Sequence, residues 1–165
     1  MRSLRRPRAE LQVSVDSELE VGAVETDRWG ALARGVLIGE GIAGPAELTL
    51  TFVNVDRMTE LNEEWMQEAG PTDVLAFPLD AEADALTGPG LRLLGDVVVC
   101  PDVAETYAAA NGRSPQDELA LLVVHGVLHV LGYDHAEPDE AEKMAQKERG
   151  HLRVLHDPSW SHTGS

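Results

Sequence analysis

The 165-residue sequence has one cysteine, Cys100, few aromatic residues and no long apolar run. A single cysteine excludes an intrachain disulfide and suits a reducing compartment. Because no run reaches the roughly 18 apolar residues that a membrane-spanning helix needs, no span is predicted. No apolar segment follows the N-terminal arginines either, so no secretory signal is predicted and a cytoplasmic protein is expected.

Positive charge is also scarce in this sequence. Lys and Arg total 13 against 29 Asp and Glu, which gives a formal net charge of −16. Such a chain should repel nucleic acid over most of its surface. The basic residues cluster in the first eight residues and between Lys143 and Arg153. A polyanionic partner would therefore use local patches, a metal ion or backbone amides.

The hydrophobic periodicity alternates between strand-like and helix-like segments along the chain. Period-two segments predict strands, and spacings of three and four predict helices bounded by residues such as Ser114 and Gly132. Strands are predicted at residues 11–16, 47–54, 72–78 and 95–100, and helices at 25–39, 56–67, 101–110, 114–131 and from Pro138 onward.

These elements predict a single α+β domain over residues 11–156, in which about five helices pack a mixed sheet of about four strands. Residues 1–10 are expected to form a flexible basic arm, and residues 157–165 a tail. Residues 79–94 are expected to form an exposed, mobile loop. The helix at 114–131 is apolar nearly all round in its second half, so we expect it at the centre of the core.

The buried helix carries the pattern that points to chemistry. His125 and His129 are four residues apart, so both imidazoles lie on one helix face. Gly132 lets the chain turn back, so that His135 can approach them. Three neutral imidazoles and one open position build a catalytic zinc site. We therefore predict one zinc ion per chain, although imidazoles also suit nickel, copper or iron.

The alternative is that the three histidines are core residues hydrogen-bonded to the backbone. Burying three imidazoles near one another without a metal would leave polar groups that need further partners. A metal ion with an open position supports hydrolysis or transesterification, because it lowers the pKa of bound water to about 7. A metalloprotease of the H-E-x-x-H type needs a glutamate after the first histidine, and Gly126 stands there. Asp134 is the candidate base or histidine-orienting carboxylate, with a turn aspartate as the equal alternative.

The stretch from His125 to His135, H-G-x-x-H-x-x-G-Y-D-H, resembles the signature of the YbeY family of bacterial endoribonucleases. Leu61-Asn62 followed by PTDVLAFP (71–78), and LGDVVVCP (94–101), resemble two more family segments in the same order. The resemblance covers residues 11–153. It implies a three-histidine metal site, usually assigned to zinc, in a mixed sheet with helices and a cleft beside the metal.

The resemblance also implies a function. It implies cleavage of single-stranded RNA, trimming of the small-subunit rRNA 3′ end and ribosome quality control. The implied partners are an rRNA precursor and the small ribosomal subunit or an assembly GTPase, and no DNA or membrane partner is expected. Two alternatives stay open: a metal-dependent hydrolase of another substrate, and a non-nucleolytic ribosome-assembly factor whose metal is structural.

Two positions depart from the family pattern. Many members carry an arginine directly after the aromatic residue of the L-N helix, whereas Met66 follows Trp65 here. The role of that arginine is therefore vacant or taken by another residue, such as Arg57 or Arg92. Ala76 stands where a serine is usual, which removes one hydroxyl.

Two acidic residues have two open interpretations each. Asp73, with Thr72, either faces the cleft or forms the turn into a strand. Asp96 begins a buried strand and either supports a metal-binding histidine or makes a structural hydrogen bond.

Other residues that could carry chemistry have simpler expected positions. Trp65 and Met58 lie at helical spacing and are expected in the core rather than on an RNA-stacking surface. Cys100 ends a buried strand and is expected to act as a small apolar residue. The remaining histidines are expected on the surface: His151, His156 and His162.

Overall fold

The computed structural model describes residues 10–79 and 91–162. The predicted arm and loop, and the end of the predicted tail, therefore lie largely outside the described residues. The described elements, in chain order, are β1 (Leu11–Ser17), α1 (Thr26–Gly39), β2 (Ala46–Phe52), α2 (Val55–Trp65), β3 (Val74–Pro78), β4 (Arg92–Val99), α3 (Pro101–Ala110), α4 (Pro115–Val130) and α5 (Pro138–Leu155). They confirm the predicted α+β class.

The strands form one mixed sheet in the order β1-β2-β4-β3. β2 pairs in parallel with both β1 and β4, whereas β3 pairs antiparallel with β4. The predicted mixed sheet is therefore confirmed. β3 is an edge strand, which leaves its outer side available to other parts of the molecule.

The main core lies between one face of the sheet and helices α1 and α4. Alternate residues of β2 point into it, and Leu48, Leu50 and Phe52 are fully buried. Nearly the whole second half of α4 is buried as well, as its all-round apolar sequence predicts. Two of the three metal-binding candidates, His125 and His129, therefore lie on the most deeply packed helix described.

The opposite face of the sheet is more polar and only partly covered. A smaller apolar cluster lies here, formed by Val53, Met58, Leu75, Val98 and Cys100. The predicted burial of Met58 and Cys100 is thus confirmed. The prediction for Trp65 is wrong: it lies at the C-terminal end of α2 and is 61% exposed. Helical spacing places it on the same side as Met58, but at the margin that the sheet does not cover.

β4 begins three residues earlier than predicted. Glu47 of β2 pairs with Leu93 and Leu48 pairs with Gly95, so the register skips Leu94 in a bulge. Gly95 has a φ of +147°, and a Cβ there would lie 2.5 Å from the carbonyl oxygen of Phe77. The glycine that seemed to begin the strand is therefore needed inside it, where β3 approaches closely.

The ends of α4 follow the predicted capping chemistry. Ser114 Oγ accepts a hydrogen bond from the backbone N–H of Asp117 at 3.1 Å. Gly132 ends the helix with a φ of +102°. Among the helices of the described residues, none has both the length and the apolar character to cross a membrane.

Two of the histidines expected on the surface join helices instead. His151 Nε2 lies 2.7 Å from Glu40 Oε2, and His156 Nε2 lies 2.7 Å from Asp117 Oδ1. Their side chains are only 12% and 8% exposed. A carboxylate partner satisfies the hydrogen-bonding capacity of the ring nitrogen, so these histidines can be buried where the helices meet.

Glu40 also accepts a hydrogen bond from the Tyr133 hydroxyl. The two partners, Tyr133 and His151, keep the pKa of Glu40 below its ordinary value against the opposing effect of burial. Tyr133 lies in the loop after α4, so this contact ties the loop that carries His135 to the end of α1.

Candidate metal centre

The structure brings the three predicted histidines together. The ring centroids of His125 and His129 are 4.7 Å apart, those of His129 and His135 are 5.1 Å apart, and those of His125 and His135 are 5.8 Å apart. Their potential ligand atoms all lie within 4.8 Å of one another. Within the described ranges, no other group of three or more His, Cys, Asp or Glu residues has this spacing.

The electrostatics of the cluster suit a cation. Burial lowers the pKa of His129, and the neighbouring charges of His125 and His135 lower it further. A neutral imidazole is the form that ligates a metal ion. The donor set, three imidazoles at this separation, therefore fits a tetrahedral ion such as zinc with one open position.

Glu148 is the residue of this site that the sequence analysis missed. It reaches the cluster from α5, and its Oε1 lies 2.6 Å from His125 Nδ1. Its side chain is only 3% exposed, and among the described residues its Oε2 has no hydrogen-bond partner. A carboxylate at Nδ1 selects the tautomer protonated there, which leaves Nε2 with the lone pair that a metal needs.

A signal for Glu148 does exist in the sequence. Met144, Glu148 and Leu152 are spaced by four residues and are all buried in α5. An acidic residue on the otherwise apolar face of a helix requires a partner. The signal indicates that a partner exists, but it does not identify His125 as that partner.

The histidines open onto a cavity of about 310 Å³ between α4, the edge strand β3 and the end of α2. Its described lining residues are Met66, Asp73, Val74, Leu75, Ala76, His125, Gly126, His129 and His135. None of them is Lys or Arg. Met66 and Ala76, the two departures from the family pattern, both lie in this wall.

The suggested replacement of the family arginine is not supported. Arg57 lies in a different cavity, where it pairs with Glu60 at 3.1 Å and with Glu18 at 3.9 Å. Arg92 is exposed at the start of β4 and is not among the described lining residues of the histidine cavity. The cavity wall therefore carries no basic side chain among the described residues.

The other acidic candidates occupy distinct places. Asp73 lines the cavity, and its Oδ1 also accepts the backbone N–H of Val74 at 2.8 Å, so both interpretations hold. Asp134 is exposed and its Oδ1 accepts the N–H of His135 at 2.7 Å, which is the turn geometry. Its catalytic role stays a prediction. Asp96 is hydrogen-bonded to Thr49 on the opposite face of the sheet.

Gly126 lies where α4 touches the sheet. A Cβ at this position would lie 2.5 Å from Val97 Cγ1 and 3.4 Å from Val74 Cγ2. A larger residue after the first histidine would therefore push the helix off the strands. The same contact excludes the glutamate of the H-E-x-x-H motif for a steric reason.

We expect Gly126→Ala to lower the free energy of unfolding by about 1–3 kcal/mol, because it overpacks the helix–sheet contact. Gly150→Ala is the matched control, since its added Cβ would meet nothing within 4 Å. That control should be neutral or stabilising by about 0.5–1 kcal/mol, because alanine favours a helix over glycine. Urea unfolding of both variants measures the difference, and equal stabilities would contradict the close contact.

The comparisons with known proteins agree on one family. A family model described as Endoribonuclease YbeY matches residues 14–156. A relative from Beutenbergia cavernae with the same description is 47% identical over 142 residues, covering 84% of this chain and 91% of the relative. Another from Salinispora tropica is 50% identical over 141 residues, covering 80% and 89%.

A solved structure is similar as well. The solution structure of a protein from Thermotoga maritima aligns with a TM-score of 0.60 and 25% sequence identity. The alignment covers 87% of this chain and 89% of that chain. The similarity therefore extends over nearly the whole fold described above.

Proposed function

The chain belongs to the YbeY family of endoribonucleases, and from this premise we propose that it cleaves single-stranded RNA at a zinc centre held by His125, His129 and His135. An endoribonuclease is a hydrolase that acts on RNA. The observation that carries the proposal is the convergence of three imidazoles, with ligand atoms within 4.8 Å of one another, on an open cavity.

Zinc bound by three imidazoles supplies a Lewis acid and lowers the pKa of water to about 7. The chain's own residues prepare the site for it. Glu148 holds the ring of His125 in one orientation from the buried side. Gly126 allows α4 to lie close against Val97, so that His125 and His129 line the cavity.

The wall of the cavity has a second consequence for the reaction. Among its described residues no Lys or Arg is present, and Asp73 adds a carboxylate. These described side chains therefore offer a phosphodiester no positive charge of their own. Phosphate binding at this cavity depends on a cation held by the histidines, which makes metal dependence a firm expectation.

We propose further that the substrate is a precursor of ribosomal RNA, cut near the 3′ end of the small-subunit RNA in the cytoplasm. The family resemblance supports this choice of substrate. The small ribosomal subunit or an assembly GTPase is the proposed partner that presents the RNA. Such a partner would also offset the repulsion between RNA and a chain of net charge −16.

Metal removal tests the proposed function directly. The purified chain, with its metal content recorded, is expected to cut a single-stranded precursor spanning the small-subunit rRNA 3′ end. Treatment with a chelator should lower the rate by about 10³, the several kcal/mol typical of metal catalysis. One equivalent of Zn²⁺ should restore it, and a duplex of the same sequence serves as the uncut control.

The product ends identify the nucleophile. Attack by the RNA 2′-OH leaves a cyclic phosphate, whereas attack by water can leave a 3′-hydroxyl. Equal cleavage by the stripped and loaded chains would contradict the proposal. A chain that holds one tightly bound ion and cuts no RNA would favour the assembly-factor alternative.

A further inference from the structure

Trp65 is largely exposed to solvent, unlike the other two tryptophans of the chain. It is 61% exposed at the C-terminal end of α2, whereas Trp29 and Trp160 are 1% and 2% exposed. Its ring meets Phe77 of β3 edge-on, with centroids 6.2 Å apart and an interplanar angle of 71°. This contact supports the indole on one side and leaves much of it accessible. A large aromatic surface held open to solvent is typical of a binding site.

Trp65 forms one wall of a groove of about 390 Å³ on the more polar face of the sheet. Phe77 and Val98 provide the apolar floor beside it. Glu18, Arg57 and Asp96 provide the polar rim. The groove therefore offers a flat aromatic ring, an apolar base and hydrogen-bonding groups around them.

The groove adjoins the histidine cavity through two pairs of consecutive residues. Trp65 lines the groove, and the next residue, Met66, lines the histidine cavity. On the edge strand, Phe77 lines the groove and Ala76 lines the histidine cavity. Consecutive residues of a strand point to opposite faces of the sheet, so the two cavities lie on either side of β3 at the end of α2. Because β3 is an edge strand, a chain-like ligand that passes over its outer edge can reach from one cavity to the other.

The charges of the groove select which part of RNA it can accept. Glu18 and Asp96 repel a phosphate, and Arg57 is already paired with Glu60 and Glu18. A nucleobase is uncharged, stacks on an aromatic face and donates N–H groups that carboxylates accept. Stacking also needs no positive surface, which a chain of net charge −16 lacks.

We propose that Trp65 is a stacking platform for one unpaired nucleobase of the RNA substrate, next to the nucleotide whose phosphate lies in the histidine cavity. The inference rests on the proposed function, because the occupant is the RNA that the centre cuts. It adds a base-binding subsite and gives a physical reason for a preference for single strands: a base held in a duplex cannot reach the indole face.

Binding of a single-stranded 2′-O-methyl oligoribonucleotide tests the platform without cleavage. Trp65→Ala is expected to weaken this binding roughly 5- to 150-fold, the range for losing one base–aromatic stack. Trp65→Phe should recover part of the affinity. The matched control is Tyr107→Ala, which removes an aromatic residue that is 46% exposed on α3 and lines neither cavity.

Fluorescence provides an independent readout. Because Trp29 and Trp160 are buried, quenching of indole emission by the oligonucleotide should come from Trp65 and be absent in Trp65→Phe. In cleavage assays, Trp65→Ala should raise KM far more than it lowers kcat. The fold loss in affinity should be nearly the same at low and high salt, since the stack is uncharged.

The outcomes separate this inference from the proposed function. Unchanged affinity and unchanged quenching in Trp65→Ala would overturn the platform while wild-type cleavage kept the nuclease proposal. That result would also favour a protein partner, rather than RNA, as the occupant of the groove. Quenching of wild type by the oligonucleotide, with no cleavage of any RNA, would support the platform and overturn the nuclease proposal.

Discussion

His129→Ala is expected to purify without a stoichiometric metal ion and to cut RNA about 10³-fold more slowly than wild type. Its ring lies closest to both other imidazoles, at 4.7 and 5.1 Å, so its loss leaves the most widely separated pair. Two ligands at that distance hold a zinc ion poorly. Elemental analysis of the purified protein and initial cleavage rates measure both effects.

His162→Ala is the matched control for this substitution. It removes a histidine whose side chain is 31% exposed and which lies outside the cluster. Metal content and cleavage should stay at the wild-type level in this control. Alanine is a strong helix former, so circular dichroism should show α4 intact in His129→Ala. If His129→Ala retained a full equivalent of zinc, the assignment of the ligand set would be wrong.

Glu148→Gln is expected to lower zinc affinity about 10- to 100-fold without loss of folding. The glutamine can still accept a hydrogen bond from His125, but it removes the negative charge that makes the imidazole a stronger ligand. Competition with a chromophoric chelator measures the affinity. Substitution with Co²⁺ and its visible spectrum report whether the ligand geometry is kept.

The stability of the metal-free protein distinguishes the roles of Glu148. Its carboxylate is buried at 3% exposure, and Oε2 has no hydrogen-bond partner among the residues described, so the charge is costly in the empty site. Glu148→Gln should therefore leave the metal-free fold equally or more stable while zinc affinity falls. Glu148→Ala should also lose zinc affinity, and it retains no side-chain oxygen to accept the hydrogen bond of His125 Nδ1. Parallel losses of stability and affinity in Glu148→Gln would instead indicate a purely structural residue.

The composition of the cavity wall connects these expectations. With Met66 in place of the family arginine and no basic residue among the described lining, a cation held by the three histidines would carry the electrostatic attraction for phosphate. Substitutions at the metal ligands should therefore affect RNA binding as well as turnover. Substitutions in the groove beside Trp65 should affect RNA binding alone. The two cavities are therefore distinguished by whether turnover changes together with RNA binding.

The sequence by itself determined the local features of this protein. The periodicity of apolar residues predicted the four strands and five helices found in the described part of the chain, because it reports which face of each element is buried. The spacing of His125 and His129 and the turn at Gly132 predicted the histidine cluster, because these residues are neighbours within one helix and its end. The identity of Gly126 by itself excluded the general-base glutamate of the H-E-x-x-H motif.

Tertiary structure alone decided which elements cover one another. Glu148 reaches His125 across 23 residues, and one helical period cannot show which helix lies opposite. Helical spacing placed Trp65 with Met58, yet the sheet ends before it covers the last turn of α2. Gly95 follows the bulge in the β2–β4 pairing and leaves room for Phe77 of β3, and neither partner strand is visible in the sequence around it. Periodicity reports that a face is apolar, whereas long-range packing determines its partner, and both the orienting carboxylate and the exposed indole depend on that packing.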